Sequence, residues 1–290
     1  MKDDVLPPLS GRPPRAPSLP RPPRLPHSVA RAPAKRRFPS ARAIFALILR
    51  EMSASYGRSP GGYLWAILEP VAGIALLTFI FSAAFRSPPL GISFPIFYAT
   101  GMLPFLLFNS TTNKIGSCLR YSKQLLAYPT VTFADAVIAR TLLTVTTQLM
   151  VSYLLLSMSL LLFDTLTSLN LAIVLQGYAL AVLLAIGVGT LNCYFTTRFD
   201  IYGHAWAILT RPLFIISGVF ILYDGIPEPF KSWLWWNPLI HVIGLVRRGF
   251  YPNYDAAYVS VTYVLVFSLI PLAFGLVLLR RNYRDLLDRL

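Results

Sequence analysis

The chain has 290 residues, of which 55% are hydrophobic and only 13% charged, and its formal net charge is +14. Soluble globular domains carry about 25% charged residues, so this composition argues against one. The basic excess fits either nucleic acid or an anionic membrane, and the long apolar runs favour the membrane.

Residues 1–40 form a tail that holds 11 of the 24 prolines together with many arginines. Such a segment buries little apolar surface, so we predict a disordered or polyproline-like cytoplasmic tail, followed by a membrane domain at 41–290. A solvated tail that helps orientation and a docking tail for lipid or a partner are both open. Arginines interrupt the apolar residues after the sequence KRRF, so we expect no cleaved signal peptide.

The segment Ala41–Tyr56 has the pattern of an amphipathic helix. Phe45, Ile48, Leu49 and Met52 share one helical face, and Arg42, Arg50 and Ser53 lie away from it. This pattern predicts an N-terminal helix at the cytoplasmic membrane interface, with its apolar face toward lipid.

Six apolar stretches follow, each close to the length of about 20 residues that crosses the hydrocarbon core as a helix. Runs of this length do not suit barrel strands, so we predict an all-α polytopic membrane protein with six transmembrane helices. The fifth stretch is weaker because it contains Arg211. The stretches are Tyr63–Phe85, Phe94–Asn113, Thr141–Phe163, Leu169–Phe195, His204–Tyr223 and Tyr258–Leu279.

Basic residues are distributed unequally between the two sides of this six-helix arrangement. One side carries 22 of the 26 lysines and arginines, and the other carries 4. The positive-inside rule places the richer side in the cytoplasm, and therefore both termini. The basic excess then has membrane lipids, not nucleic acid, as its expected partner.

Motifs of common enzymes are missing from the sequence. It contains no G-x-x-x-x-G-K-[ST] phosphate loop, no G-x-S-x-G and no H-E-x-x-H, and its two isolated cysteines, Cys118 and Cys193, make no metal motif. We therefore predict a protein that is not an enzyme, with no catalytic residue, metal or cofactor of its own.

Glu69 is an acidic residue near the start of the first predicted span. A carboxylate at membrane depth costs about 2.5–3.5 kcal/mol on insertion scales, so it should face protein or a wet cavity. Two roles are open: a structural partner for an arginine such as Arg140 or Arg211, or a place in a substrate path.

The segment Cys118–Arg140 reads CLRYSKQLLAYPTVTFADAVIAR and is predicted to be cytoplasmic, with helical spacing that ends at Pro129. A short, mildly basic and partly apolar helix between two spans suits contact with a partner subunit. Together with the amphipathic helix it supplies the residues that we predict to couple this chain to such a partner. These residues are Arg50, Glu51, Gln124, Leu125, Leu126 and Tyr128.

The stretch Trp233–Tyr251, WLWWNPLIHVIGLVRRGFY, lies between the fifth and sixth spans. Pro238 divides it into pieces of about 5 and 13 residues, too short to cross, so we predict a re-entrant segment in the outer leaflet. Arg247 and Arg248 then either face an exit path for an anionic substrate or rest against headgroups. The residues that we predict for the path and gate are Glu69, Trp233, Trp235, Trp236, His241, Arg247 and Arg248.

Four stretches resemble the ABC-2 transporter permeases of the capsular or cell-surface polysaccharide export family. They are SYGRSPGGYLWAILEP, LLAYPTVTFADAVIAR, RPLFIISGVFILYDGIP and WNPLIHVIGLVRRGF, between Ser55 and Phe250. The resemblance implies a bacterial inner-membrane permease that acts as a homodimer with two copies of a separate ABC ATPase, which binds ATP and Mg. It also implies a channel for a lipid-linked polysaccharide, with re-entrant helices near its exit.

Two alternatives to polysaccharide export remain. One is an ABC exporter of a smaller lipid-linked saccharide or drug. The other is a membrane scaffold or lipid-modifying enzyme that works without an ATPase. Co-purification of a stoichiometric ATPase separates the second alternative from the transporters.

Overall fold

The computed structural model describes residues 39–56, 62–126, 132–163 and 167–289. Within these ranges the chain is all helical, with ten α-helices, one 3-10 helix at Tyr223–Gly225 and no strand. The helices are α1 (Pro39–Tyr56), α2 (Gly62–Ala84), α3 (Phe94–Gly116), α4 (Cys118–Leu126), α5 (Phe133–Leu162), α6 (Leu171–Arg198), α7 (Asp200–Ile216), α8 (Phe230–Leu234), α9 (Pro238–Phe250) and α10 (Val261–Arg289).

The predicted amphipathic helix is α1, which begins at Pro39, two residues before the predicted boundary. It packs against α5 through the buried Leu47, while Phe45, Leu49 and Met52 are exposed. The predicted tail, apart from its last two residues, lies outside the described residues.

Four of the described helices are long and apolar enough to cross a membrane: Leu64–Ala84, Phe133–Leu162, Leu171–Arg198 and Val261–Tyr283. They correspond to the first, third, fourth and sixth predicted spans. The other two predicted spans correspond to α3, which carries the polar sequence NSTTNK near its end, and to the shorter α7.

The most enclosed long helix is α3. Sixteen of its 23 residues are buried, among them Phe97, Leu103 and Leu107, because α2, α5, α6 and α9 pack around it. A helix that is surrounded by protein does not need a continuous apolar surface, which explains why α3 is less apolar than its neighbours.

Helices α6 and α10 approach each other closely. A Cβ atom added to Gly275 would lie 2.7 Å from the backbone nitrogen of Leu191, so only glycine fits there. Small residues that let two helices approach in this way are typical of packing in membranes, where dispersion contacts supply much of the attraction.

Two predicted boundaries need correction. The fifth span was predicted to reach Tyr223, but α7 ends at Ile216, and a turn follows in which Gly218 has a φ of +84°, a conformation that favours glycine. The third span was predicted to start at Thr141. Helix α5 starts at Phe133 instead, because Thr132 and Asp135 form a capping box, so Arg140 belongs to the helix and not to the loop.

Candidate functional site

The predicted re-entrant stretch consists of two helices, α8 with five residues and α9 with thirteen. The length of α9 agrees with the prediction from Pro238, whereas α8 begins at Phe230 and ends at Leu234, before the predicted piece from Trp233 to Pro238 is complete. Pro238 is the first residue of α9, where its missing N–H needs no partner, and the Asn237 side chain accepts a hydrogen bond from the Leu239 N–H over 3.1 Å.

Helix α9 lies in the interior of the protein. Eleven of its thirteen residues are buried, and it packs against α3, α6 and α10. Its contact with α6 is tight, because a Cβ atom on Gly249 would lie 2.9 Å from the Val174 backbone nitrogen. The backbone nitrogen of Asn170 also donates a hydrogen bond of 2.7 Å to the Gly249 carbonyl.

Arg247 projects from α9 into this interior and is only 2% exposed. Its guanidinium donates hydrogen bonds of 2.7 Å to the Gly218 carbonyl and 2.9 Å to the Val219 carbonyl, and its Cζ lies 4.2 Å from the centre of the Phe97 ring. A positive charge close to the end of a helix interacts favourably with its carbonyl groups. Arg247 therefore joins α9 to the turn that follows α7 and to α3.

Tyr251, the first residue after α9, is a neutral neighbour of the Arg247 charge. Burial raises the pKa of Tyr251 to about 12, although the Arg247 charge acts in the opposite direction. Tyr251 is therefore a neutral phenol at ordinary pH, and the guanidinium depends on carbonyl groups and an aromatic ring for stabilisation.

Arg248 has different surroundings, although it follows Arg247 directly. Its side chain is 46% exposed and lies 3.5 Å from the carboxylate of Asp255, itself 85% exposed. Both predicted alternatives, an exit path or lipid headgroups, had treated the two guanidiniums alike, and the structure separates them. Adjacent residues of a helix point about 100° apart, so only Arg248 reaches the surface.

His241 is fully buried beside Trp235. Its Nδ1 accepts a hydrogen bond of 3.2 Å from the Ser260 N–H, so its Nε2 must be the donor to the Trp235 carbonyl at 2.8 Å. Both nitrogens of the neutral ring are thus occupied, and His241 joins the α8–α9 corner to the start of α10. It was predicted as a path residue, and in this structure it faces protein.

The three tryptophans of α8 and the following turn also differ from one another. Trp235 packs inward and its Nε1 donates to the Tyr258 carbonyl over 3.2 Å. Trp233 and Trp236 are 73% and 67% exposed, as residues at a membrane interface would be.

A second polar cluster lies near the start of α5, where it joins α1, α4 and α5. Arg140 and Glu51 form an ion pair of 3.1 Å with side chains that are 6% and 12% exposed, and Arg140 stacks 4.2 Å from the centre of the Tyr121 ring. Arg50 lies 6.0 Å from the same ring. Arg140 therefore pairs with Glu51 and not with Glu69, which was one of the predicted possibilities.

The structure separates the predicted coupling residues of α4. Gln124 is exposed, whereas Leu126 is buried against Ile115, Cys118 and Leu119. The Leu125 side chain and Tyr128 lie outside the described residues. Sequence reasoning missed Tyr121, which lies beside both Arg50 and Arg140. An aromatic residue on the predicted short helix between two spans was the signal that could have identified it.

Glu69 lies on an exposed face of α2 and lines a cavity of about 180 Å³ together with residues of α1, α3 and α5. Lys114 at the end of α3 lines the same cavity. Gln148 also lines it and donates a hydrogen bond of 3.0 Å to the Ser110 hydroxyl. This polar space is enclosed by otherwise apolar helices.

Comparisons with known proteins match most of the chain. Residues 42–251 match the family model described as "ABC-2 type transporter". The chain is 33% identical over 242 residues to the polysialic acid transport protein KpsM of Escherichia coli, covering 83% of this chain and 94% of that protein. It is 25% identical to the capsule polysaccharide export inner-membrane protein BexB of Haemophilus influenzae, over 82% and 90% of the two chains. It is 24% identical to CtrC of Neisseria meningitidis serogroup B, which has the same description, over 83% and 91%.

Proposed function

Because the chain belongs to the ABC-2 type transporter family, we propose that it is the permease subunit of an exporter for a lipid-linked cell-surface polysaccharide. The observation that carries this proposal is its similarity, over 82% or more of its length, to three transport proteins whose names specify polysialic acid or capsule polysaccharide. In this role the protein resides in the bacterial inner membrane.

ATP hydrolysis then takes place in a separate ABC ATPase, of which two copies join a homodimer of this chain. The missing phosphate loop in the sequence supports this division of labour. ATP and Mg are bound by the partner chain. The proposed contact is α4, with the exposed Gln124, together with the adjacent α1.

Six membrane crossings with both termini in the cytoplasm suit the dimensions of the helices. Helix α7 is about 26 Å long at 1.5 Å per residue, close to a hydrocarbon core of about 30 Å. Helix α3 has protein on most sides, so its polar residues need not face lipid. Helix α5, at about 45 Å, is long enough to cross and to extend into the cytoplasm.

The ion pair between Glu51 and Arg140 supports a mechanism for coupling. When the ATPase subunits close on ATP, they push α4 and α1, and the buried pair carries that displacement into α5. The membrane helices then rock and let the polymer advance outward. ATP can drive this change only to the extent that it binds the two states of the complex with different affinities.

The experiment that tests the function is loss of the gene followed by analysis of the cell-surface glycan. We expect loss of surface polysaccharide and retention of polymer inside the cell, with recovery on complementation by the wild-type chain. Purification in mild detergent should recover an ABC ATPase in equal amount. A normal cell-surface glycan together with loss of a small saccharide or drug export activity would instead identify a smaller substrate.

A further inference from the structure

The cavity beside Glu69 is lined by the last turns of α1 and α3, the first turns of α2 and the middle of α5. Glu69 lies seven residues after the start of α2, about 10 Å along the axis. Lys114 and Ser110 lie in the last two turns of α3, and Gln148 is the sixteenth of the 30 residues of α5. In the proposed topology the cavity therefore extends from the inner-leaflet headgroups to about 10 Å below them.

Three charged residues of the described chain line this cavity: Glu51, which pairs with Arg140, and two opposite charges that do not compensate each other. Glu69 contributes a carboxylate and Lys114 an ammonium group, and both side chains are exposed. Within the part of the chain that the structure describes, neither forms an ion pair. Charges at this depth need water or an ionic partner, since lipid hydrocarbon solvates neither.

We propose that the cavity binds the phosphoethanolamine headgroup of an inner-leaflet lipid. The lipid phosphate would pair with Lys114, and its primary ammonium group would donate hydrogen bonds to Glu69. The Ser110 hydroxyl and the Gln148 amide, already held together by their 3.0 Å hydrogen bond, offer further polar contacts. The acyl chains would remain outside the cavity, along the exposed apolar side chains of α2, such as Leu68 and Val71.

The lining favours this ligand over a sugar unit of the exported polymer. Among the residues that the structure describes, no aromatic one lines the cavity, so a sugar ring finds no flat face there against which to pack. A zwitterion matches the two opposite charges, whereas a headgroup with a phosphate alone leaves Glu69 without a partner. A choline headgroup carries a positive charge but has no N–H to donate.

Occupation of this cavity would also affect the coupling cluster. Glu51 lines the cavity and at the same time pairs with Arg140. The bound headgroup would therefore stabilise α1 on α2, α3 and α5, and we expect ATP hydrolysis by the complex to depend on phosphatidylethanolamine. This inference rests on the inner-membrane placement proposed above.

The test is native mass spectrometry of the purified permease–ATPase complex in nanodiscs that contain phosphatidylethanolamine, phosphatidylcholine or phosphatidylglycerol. We expect phosphatidylethanolamine to remain bound and the other two lipids to be lost. The variants Glu69→Gln and Lys114→Gln should each weaken its retention about tenfold, the effect of losing about one charge-assisted hydrogen bond. The controls Asp285→Asn and Arg281→Gln, at exposed positions away from the cavity and from α4, should retain it.

A second measurement uses the wild-type complex alone, so it holds even if a variant fails to fold. Soluble glycerophosphoethanolamine should raise the thermal unfolding temperature of the detergent-purified complex more than glycerophosphocholine does. Equal retention of all three lipids, or retention of phosphatidylglycerol that is lost only with Lys114→Gln, would overturn the proposal. Such a result with normal export would leave the proposed function intact, since the lipid readout does not depend on transport.

Discussion

Helices α7 and α9 are both apolar, both contain one proline and lie only 21 residues apart in the chain, yet their surroundings are opposite. None of the 17 residues of α7 is buried, whereas 11 of the 13 residues of α9 are. Apolar composition therefore predicts a helix, but it does not tell whether that helix is covered by this chain or left exposed on its surface.

The arginines of the two helices show what this difference means. Arg247 of α9 is buried and bonded to two carbonyl groups, while Arg211 of α7 is exposed and, in the proposed topology, lies within the fifth span. An arginine that faces hydrocarbon costs about 2.5–3.5 kcal/mol, so the α7 surface suits an aqueous path or a second copy of the chain better than lipid. The exposed residues of α10 between Leu265 and Val277 are uncharged and suit lipid.

The largest effect should come from Arg247→Met. The Gly218 and Val219 carbonyls would lose their donor inside the protein, and each unsatisfied group costs about 1–3 kcal/mol, so we expect a loss of about 2–4 kcal/mol in the free energy of unfolding. This loss is measured by heating the purified chain and recording how much of it stays monodisperse at each temperature. The neighbouring variant Arg248→Met is the control and should cost less than about 1 kcal/mol, because an exposed ion pair contributes little.

If Arg247→Met and Arg248→Met lowered the free energy of unfolding equally, the difference in burial between the two arginines would be contradicted. A stable Arg247→Met variant that fails only in export would instead favour the predicted gate role for Arg247.

A smaller effect is expected at two glycines. Gly249→Ala places a methyl group against the Val174 backbone, and such overpacking costs about 1–3 kcal/mol. Gly203→Ala in α7 meets nothing within 4 Å and should be neutral, or stabilising by up to about 1 kcal/mol through helix propensity. The two variants differ by the same single methyl group, so the contrast in unfolding temperature reports only the surroundings. A loss at Gly203 as large as that at Gly249 would mean that another chain covers α7 closely.

Asn237 connects the two helices, and its substitution should have a moderate effect. Its side-chain oxygen caps α9, and its Nδ2 donates 3.1 Å to the carbonyl of Ile216, the last residue of α7. Asn237→Ala removes both and should destabilise by about 1–2 kcal/mol. Asn237→Ser keeps a capping oxygen but cannot reach Ile216, so it separates the cap from the link between the helices. Identical unfolding temperatures for the two variants would mean that the link contributes nothing.

Much of the fold was predictable because apolar length and helix breakers are local properties. Pro238 gave the start and length of α9, and four of the six predicted spans correspond to helices that are long and apolar enough to cross. The start of α5 after Thr132 and the end of α7 before Gly218 were missed. A helix cap or a turn is determined by a few atoms, so it leaves little pattern in the sequence. The burial of Arg247 and His241 was missed for another reason: partners of both side chains, the Gly218 and Val219 carbonyls for Arg247 and the Ser260 N–H for His241, lie 19 to 29 residues away in the chain, which a sequence pattern does not reveal.

The smallest effect on stability, and the sharpest test of what covers α7, comes from single cysteines on exposed apolar positions. Cys118 and Cys193 are buried and would first be replaced by alanine. Exposed substitutions of this kind usually change stability by less than about 0.5 kcal/mol, so each variant should fold. Under the proposed homodimer, a short bifunctional maleimide should join two copies through α7 and not through α10, where lipid covers the side chains. The α7 positions are Ile201, Ile208, Leu209 and Ile215, and the α10 controls are Leu269, Ile270, Phe274 and Val277. Cross-linking through α10 but not α7 would place the contact between copies at α10. An aqueous path would then be the remaining explanation for the exposed Arg211.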